Sequence, residues 1–169
     1  AFGVPIFGQR VNFHVGKDKS VLFGELPTLA GTKLMWLPDI SAFRVGTIDE
    51  GYAERYWDRD SIGQYSFASG KNTRAQGFGA TAMGRDTEAV GNYAMATGYY
   101  TTASGEYSTA MGNHTEAESY NSNAIGRFNV GGFINNTGTD NDGDITWVET
   151  DPLFEIGNGS GESNRSNAL

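Results

Sequence analysis

The middle of the chain has neither the apolar stripe of an amphipathic helix nor the Val- and Ile-rich runs of a buried strand. Between Ser61 and Gly126 small residues recur instead, at alternate places and with a period of seven. Each unit opens on Ser, Thr or Ala: Ser66, Thr73, Ala80, Thr87, Ala94, Thr101, Ser108, Thr115 and Ser122. Two places later comes alanine, at Ala68, Ala75, Ala82, Ala89, Ala96, Ala103, Ala110, Ala117 and Ala124. Two places later again comes glycine, at Gly70, Gly77, Gly84, Gly91, Gly98, Gly105, Gly112 and Gly126, with Ser119 in the one gap. Spacing by two is the strand period, so the small residues of a unit share one face. The two remaining residues turn the corner, and glycine at the strand end suits a bend with no room for a side chain.

Other readings of a seven-residue period fail. A coiled coil needs Leu, Ile or Val at two places per heptad, and those places hold Gly and Ala. Glycine every two helical turns would cost roughly 1 kcal/mol each time relative to alanine. Collagen needs glycine at every third place. Each seven therefore reads as a short strand plus a turn, and two sevens make one coil of a parallel β-solenoid with coils about 4.8 Å apart. The small face points into an interior too thin for anything larger than Ala or Thr.

The residues between the small ones divide into two outward series. One holds Phe67 and Ser69, Thr81 and Met83, Met95 and Thr97, Thr109 and Met111, and Asn123 and Ile125. The other holds Arg74 and Gln76, Glu88 and Val90, Thr102 and Ser104, and Glu116 and Glu118. The second is a solvent face. The first is an apolar stripe that a single chain leaves exposed, and such a patch usually marks an interaction surface. A coil filled with Ala, Ser and Gly also buries little apolar area, so it folds poorly alone. Both points predict self-association along Phe67, Met83, Met95, Met111 and Ile125; the alternative is that another part of the same chain covers them.

Ala82-Met83-Gly84, Ser108-Thr109-Ala110-Met111-Gly112 and Ser122-Asn123-Ala124-Ile125-Gly126, spaced fourteen residues apart, resemble the head repeats of trimeric autotransporter adhesins of the YadA type. That resemblance covers Ser61 to about Phe128. It implies an all-β, left-handed parallel β-roll, three chains packed about a common axis, and an adhesive role at the bacterial cell surface. The flanks, with Gly31-Thr32-Lys33-Leu34-Met35-Trp36, Ala42-Phe43-Arg44-Val45-Gly46 and Asp151-Pro152-Leu153-Phe154-Glu155-Ile156-Gly157, resemble uncharacterised surface or secreted proteins of Bacteroidota-type bacteria. In those a further β segment, and often a C-terminal intramolecular chaperone domain of the phage tail-spike kind, follows, which implies that this chain is a piece of a longer protein.

The chain divides into an N-terminal β region or cap (1–60), the roll repeats (61–128), and a linker loop with a C-terminal β segment (129–169). In the first part Val11–Val15, Val21–Phe23, Lys33–Leu37 and Ala42–Val45 read as strands among Gly, Pro and Asp breakers. A cap is required there, because an open coil offers unpaired backbone. In the last part Trp147, Val148, Leu153 and Phe154 predict a short β unit, and Gly157–Asn167 reads as a polar, flexible end. The net charge of −8 argues against nucleic acid and anionic membranes as partners. No apolar stretch is long enough to span a bilayer. Without cysteine there is no disulfide framework.

Chemistry is sparse. Asp140, Asp142 and Asp144, with Gly143 between, place carboxylates at alternate positions where a sharp turn can wrap calcium; the plain reading is an acidic, solvated turn. Tyr65, Tyr93 and Tyr107 occupy equivalent turn positions, and such a ladder can stack on a glycan or a host protein, or simply stack coil on coil. Tyr99 and Tyr100 stand at the opposite turn. His14 and His114 have no neighbouring metal-ligand partner in sequence. Thr101, Thr102 and Thr109 do not form the flat array an ice-binding face needs, because Arg74, Glu88 and Glu116 interrupt the columns. Asn113-His114-Thr115 and Asn135-Asn136-Thr137 fit the glycosylation acceptor pattern. No Ser-His-Asp set, phosphate loop or paired-carboxylate site stands out, so an enzyme is not expected. The sequence thus predicts a head or shaft segment of a homotrimeric fibre that binds a host protein or glycan; the alternative is a glycan-binding tail-fibre or spike segment.

Overall fold

The structure, a computed structural model, describes residues 30–129 and 153–168, preceded by the backbone of four short strands. Strands β1 (Pro5–Ile6) and β2 (Gln9–Arg10) form an antiparallel pair. Strands β3 (Asn12–Val15), β4 (Val21–Gly24), β5 (Gly31–Leu37) and β6 (Ala42–Ile48) form an antiparallel meander. Helix α1 (Glu50–Tyr56) and a 3₁₀ turn (Arg59–Ser61) follow. Five-residue strands β7 (Phe67–Lys71), β9 (Thr81–Arg85), β11 (Met95–Tyr99), β13 (Thr109–Asn113) and β15 (Asn123–Arg127) then alternate with two-residue strands β8 (Arg74–Ala75), β10 (Glu88–Ala89), β12 (Thr102–Ala103) and β14 (Glu116–Ala117). Strand β16 (Phe154–Asn158) comes last.

The alternation builds a β-solenoid of about four coils. Short strands stack in parallel as β8-β10-β12-β14. Long strands stack in parallel from β6 to β16, and the meander extends the same sheet antiparallel at its lower end. Register is in steps of fourteen: Ala68 pairs with Ala82, Ala82 with Ala96, and Ala96 with Ala110. A strict period leaves no other register that keeps all the small residues inside. All nine alanines of the repeat are buried, at 0–2% exposure, and Thr73, Thr87, Thr101 and Thr115 are wholly enclosed beside them. The glycines permit this stacking in two ways. Gly70, Gly84, Gly98, Gly112 and Gly126 take φ between +104° and +133°, and a Cβ on any of them would meet the next glycine's carbonyl oxygen. Gly63, Gly77, Gly91 and Gly105 have ordinary φ, but a Cβ there would strike the carbonyl of the coil above just as hard. Ser119 closes that series just past β14, the last described strand of its sheet.

Side chains close both ends of the solenoid. Arg44 stands in register with Ala68, and Glu155 with Ala124, so a buried arginine ends the alanine column below and a buried glutamate ends it above. The Arg44 guanidinium donates to the carbonyl oxygens of Phe43 (2.8 Å), Ser66 (3.1 Å) and Ala75 (2.8 Å) and to Ser66 Oγ (2.7 Å). Burial lowers its pKa to about 10, which leaves it charged at neutral pH. Glu155 accepts from the side-chain amides of Asn129 and Asn167. In the short-strand sheet each coil's N–H donates upward, as from Arg74 to the Thr87 carbonyl at 2.8 Å. At the bottom, Trp57 Nε1 supplies the missing donor to the Thr73 carbonyl at 2.9 Å. At the top, Asn129 stands in the threonine column; its Oδ1 accepts from the Glu116 N–H and its Nδ2 donates to the Glu116 carbonyl, both at 2.8 Å. The Asn129 side chain thus imitates a further strand and covers the backbone of Glu116 at the edge, where unpaired groups are the hazard of any open solenoid.

Two expectations are corrected. Residues 50–56 are a helix, whereas the N-terminal part was read as strands and turns only; with it, Ile48, Tyr56 and Trp57 build a larger-residue core under the first coil. Residues 157–167 do not form a loose tail. Gly157 and Asn167 form an antiparallel bridge, the Ser166 N–H donates to the Phe128 carbonyl at 2.9 Å, and Arg165 pairs with Glu116 at 2.6 Å.

The hydroxyls of Thr73, Thr87, Thr101 and Thr115 are enclosed without a hydrogen-bond partner. Burying an unpaired hydroxyl costs about 1–3 kcal/mol, and valine has the same shape. Thr87→Val with Thr101→Val is therefore expected to raise the melting temperature by several degrees in thermal denaturation. A lower melting temperature would mean that these hydroxyls are bonded.

Candidate functional site

The long-strand sheet presents its outer face as two columns. Phe67, Thr81, Met95, Thr109 and Asn123 form one, and Ser69, Met83, Thr97, Met111 and Ile125 the other. Pairing extends them past the repeat: Phe43 and Val45 lie below, followed by Trp36 and Leu34, and Phe154 and Ile156 lie above. Met83, Met95 and Met111 are exposed, and Phe67 and Ile125 are half-buried. Trp36 and Phe154 are exposed as well, at 38% and 55%. No described segment closes over this face. The likeness of Phe43-Arg44-Val45-Gly46 to the end of a roll unit is legible in the sequence, but the continuation of the outer columns through it and through Phe154-Glu155-Ile156-Gly157, each with a charged residue in alanine's place, is not.

The opposite outer face is polar. Arg74 and Glu88 pair at 3.1 Å across neighbouring coils, and the Tyr56 hydroxyl donates to Glu88 at 2.6 Å. Burial first, and the Glu88 carboxylate second, push the Tyr56 pKa up, so it stays a donor. Helix α1 is docked to the coils by this contact and by Trp57.

Both corners pass through the left-handed region. Tyr65, Tyr93, Tyr107 and Asn121 have φ of 56° to 60° at one corner, where Gly79 also takes φ of 65°. Asn72, Asp86, Tyr100, His114 and Phe128 have φ of 44° to 54° at the other. At the first corner the rings run on as a ladder. Tyr65 meets Phe78 edge-on at 5.1 Å, Phe78 meets Tyr93 at 5.4 Å, Tyr93 lies parallel to Tyr107 at 5.1 Å, and Tyr107 meets Tyr120 at 5.5 Å. Phe78 and Tyr120 were not anticipated; they precede Gly79 and Asn121, the two corner residues that carry no ring. At the second corner His114 is stacked between Tyr100 and Phe128, with Nε2 at 3.3 Å from Glu162.

Asp140, Asp142 and Asp144, the Asn135 acceptor and the side chain of His14 lie outside the described residues. Among the described residues no group of three or more His, Cys, Asp or Glu could hold a metal ion, and no helix is long and apolar enough to cross a membrane. Asn113 is exposed while Thr115 of the same acceptor pattern is buried. What the coils offer is surface: one apolar face, one polar face and two aromatic corners. No curated protein and no solved structure matches the chain. The coils themselves match the YadA head domain repeat, in two copies that span residues 75–101 and 102–129.

Proposed function

We propose that the chain is a non-enzymatic head or shaft segment of a homotrimeric bacterial surface fibre, exposed outside the cell and working in adhesion. The observation that carries this reading is the apolar face of the long-strand sheet. Its Phe, Met and Ile columns run through every coil, while the interior holds only Ala, Ser and Thr. A patch of this length is larger than isolated surface hydrophobes and marks an interface. A second copy is the natural cover, since an identical coil offers the same columns at the same spacing. The match to the YadA head domain repeat supports the same reading, adhesion included. Three chains would repeat each weak contact with a receptor, so avidity exceeds single-site affinity.

Light scattering on a sizing column tests this. The expected native mass is three times the chain mass of 18.2 kDa. A single-chain mass at micromolar concentration would remove the trimer from the reading.

A further inference from the structure

With adhesion as the proposed function, the first corner supplies a ligand site. We infer that the ladder of Tyr65, Phe78, Tyr93, Tyr107 and Tyr120 binds a neutral, linear glycan laid along the solenoid axis.

Four observations lead there. Each successive coil contributes a ring at this corner, from the left-handed position itself or, where Gly79 or Asn121 stands there, from the residue just before it. The corner does not need the ring: Gly79 and Asn121 adopt the same φ without one. Bulky side chains at positive φ are strained, by about 1–3 kcal/mol each, so ring placement here runs against local preference.

The rings are also open to solvent. Tyr65 is 55% exposed, Tyr93 50% and Tyr107 44%. Tyr93 and Tyr107 are parallel with centroids 5.1 Å apart, which is an offset, shingled overlap and leaves part of each face free. One ring per coil gives a continuous aromatic row in which Tyr93 and Tyr107 lie parallel and the other neighbours meet edge-on, with the tyrosine hydroxyls at its rim. The apolar C–H faces of successive sugar rings fit such a row, and their hydroxyl groups can bond to the tyrosine hydroxyls.

Size points away from a protein partner. At about 150–250 Å² per aromatic side chain, with Tyr65, Tyr93 and Tyr107 about half exposed and Phe78 and Tyr120 less so, the row offers about 400 Å². A standard protein interface takes about 800 Å² from each side. A strip one ring wide suits a chain, not a surface. Charge points to a neutral chain: Glu106 acts on Tyr107 and the whole molecule carries −8, so an anionic polymer would be repelled.

The test uses the intact chain with cello-, chito- and malto-oligosaccharides of four to six units as probes, and a sulfated oligosaccharide of equal length as control. Tyr93→Asn with Tyr107→Asn removes two rings and keeps a residue that the same corner already accepts at Asn121. Calorimetric titration is expected to show binding of at least one neutral series, tightening with length, no binding of the sulfated control, and at least a tenfold loss in the variant at unchanged native mass. NMR of the wild-type chain gives a second readout: added oligosaccharide should shift the ring signals of Tyr65, Tyr93 and Tyr107 and leave Tyr99 and Tyr100 unmoved. No binding by the wild type, equal binding by a folded variant, preference for the sulfated control, or shifts confined to Tyr99 and Tyr100 would each overturn the assignment. A wild type of trimeric mass that binds no neutral probe would remove the glycan and leave the fibre reading intact. A monomer that binds would do the reverse.

Discussion

Gly98→Ala is expected to unfold the central coils. Its φ of +126° belongs to a region that side-chain-bearing residues rarely enter, and the added Cβ would lie far inside 3.0 Å of the Gly112 carbonyl oxygen. The clash is with backbone held in the β11–β13 ladder, so no rotamer change relieves it. Either φ must move, which breaks the corner into Tyr99 and Tyr100, or the two coils must part. Left-handed strain and overpacking together come to roughly 4 kcal/mol or more, a large share of the 5–15 kcal/mol that holds a typical domain together. Thermal denaturation followed by circular dichroism should show a melting temperature lowered by 10 °C or more, or no cooperative transition. Gly105→Ser should also destabilise, because a Cβ there strikes the Ser119 carbonyl although φ is ordinary. Ser119→Gly, at the end of the same series just past the last described strand of that sheet, should change little. A Gly98→Ala protein with wild-type melting would show that the coils are not stacked in this register.

The interior was legible because it is strictly periodic. Once alternate small residues fall on one face, Ala68 through Ala124 must line it, and the only freedom left is which outward series is wet. Phe67, Met83 and Ile125 against Arg74, Glu88 and Glu116 decide that. The ends were not legible, because their logic lies in contacts distant along the chain. Nothing local in Asn129 says that its side chain will stand in for a strand, or in Trp57 that its indole N–H will serve Thr73. Phe154-Glu155-Ile156-Gly157 has the right alternation, but Glu155 sits where the nine repeat units have alanine, and its strand pairs with Asn123–Arg127 instead of a strand fourteen places before. Helix α1 was hidden for a different reason. It is seven residues long, contains Gly51, and Tyr56 owes its place to Glu88 on the coils more than to helix propensity. At the corner, Tyr65, Tyr93 and Tyr107 were readable as one column. Phe78 and Tyr120 were not, because they reach the same ladder from a neighbouring position.

Met83→Asp with Met111→Asp is expected to reduce the native mass to that of one chain. Both methionines are exposed on the single chain, at 37% and 43%, and point away from the alanine interior. A carboxylate at either place therefore meets water, not the core, and the coil itself has no reason to reject it. In an assembly built on this face the same carboxylates would be buried without partners. Each chain would contribute two, and three chains would set six of them around one axis. An isolated buried charge costs several kcal/mol even after relaxation, and like charges add to it, so assembly should weaken by at least a thousandfold. Phe154 and Trp36 lie on the same columns beyond the repeat, and Phe154→Asp should act in the same direction with a smaller effect, because its place at the end of the stack leaves more water access. Light scattering separates the outcomes. A single-chain mass with β-rich circular dichroism would mean that the coil folds alone and assembles afterwards. A single-chain mass without it would mean that folding requires assembly, as the small apolar area of an alanine interior suggests. A trimer that survives both substitutions would place the seam elsewhere and leave the methionine columns without a partner.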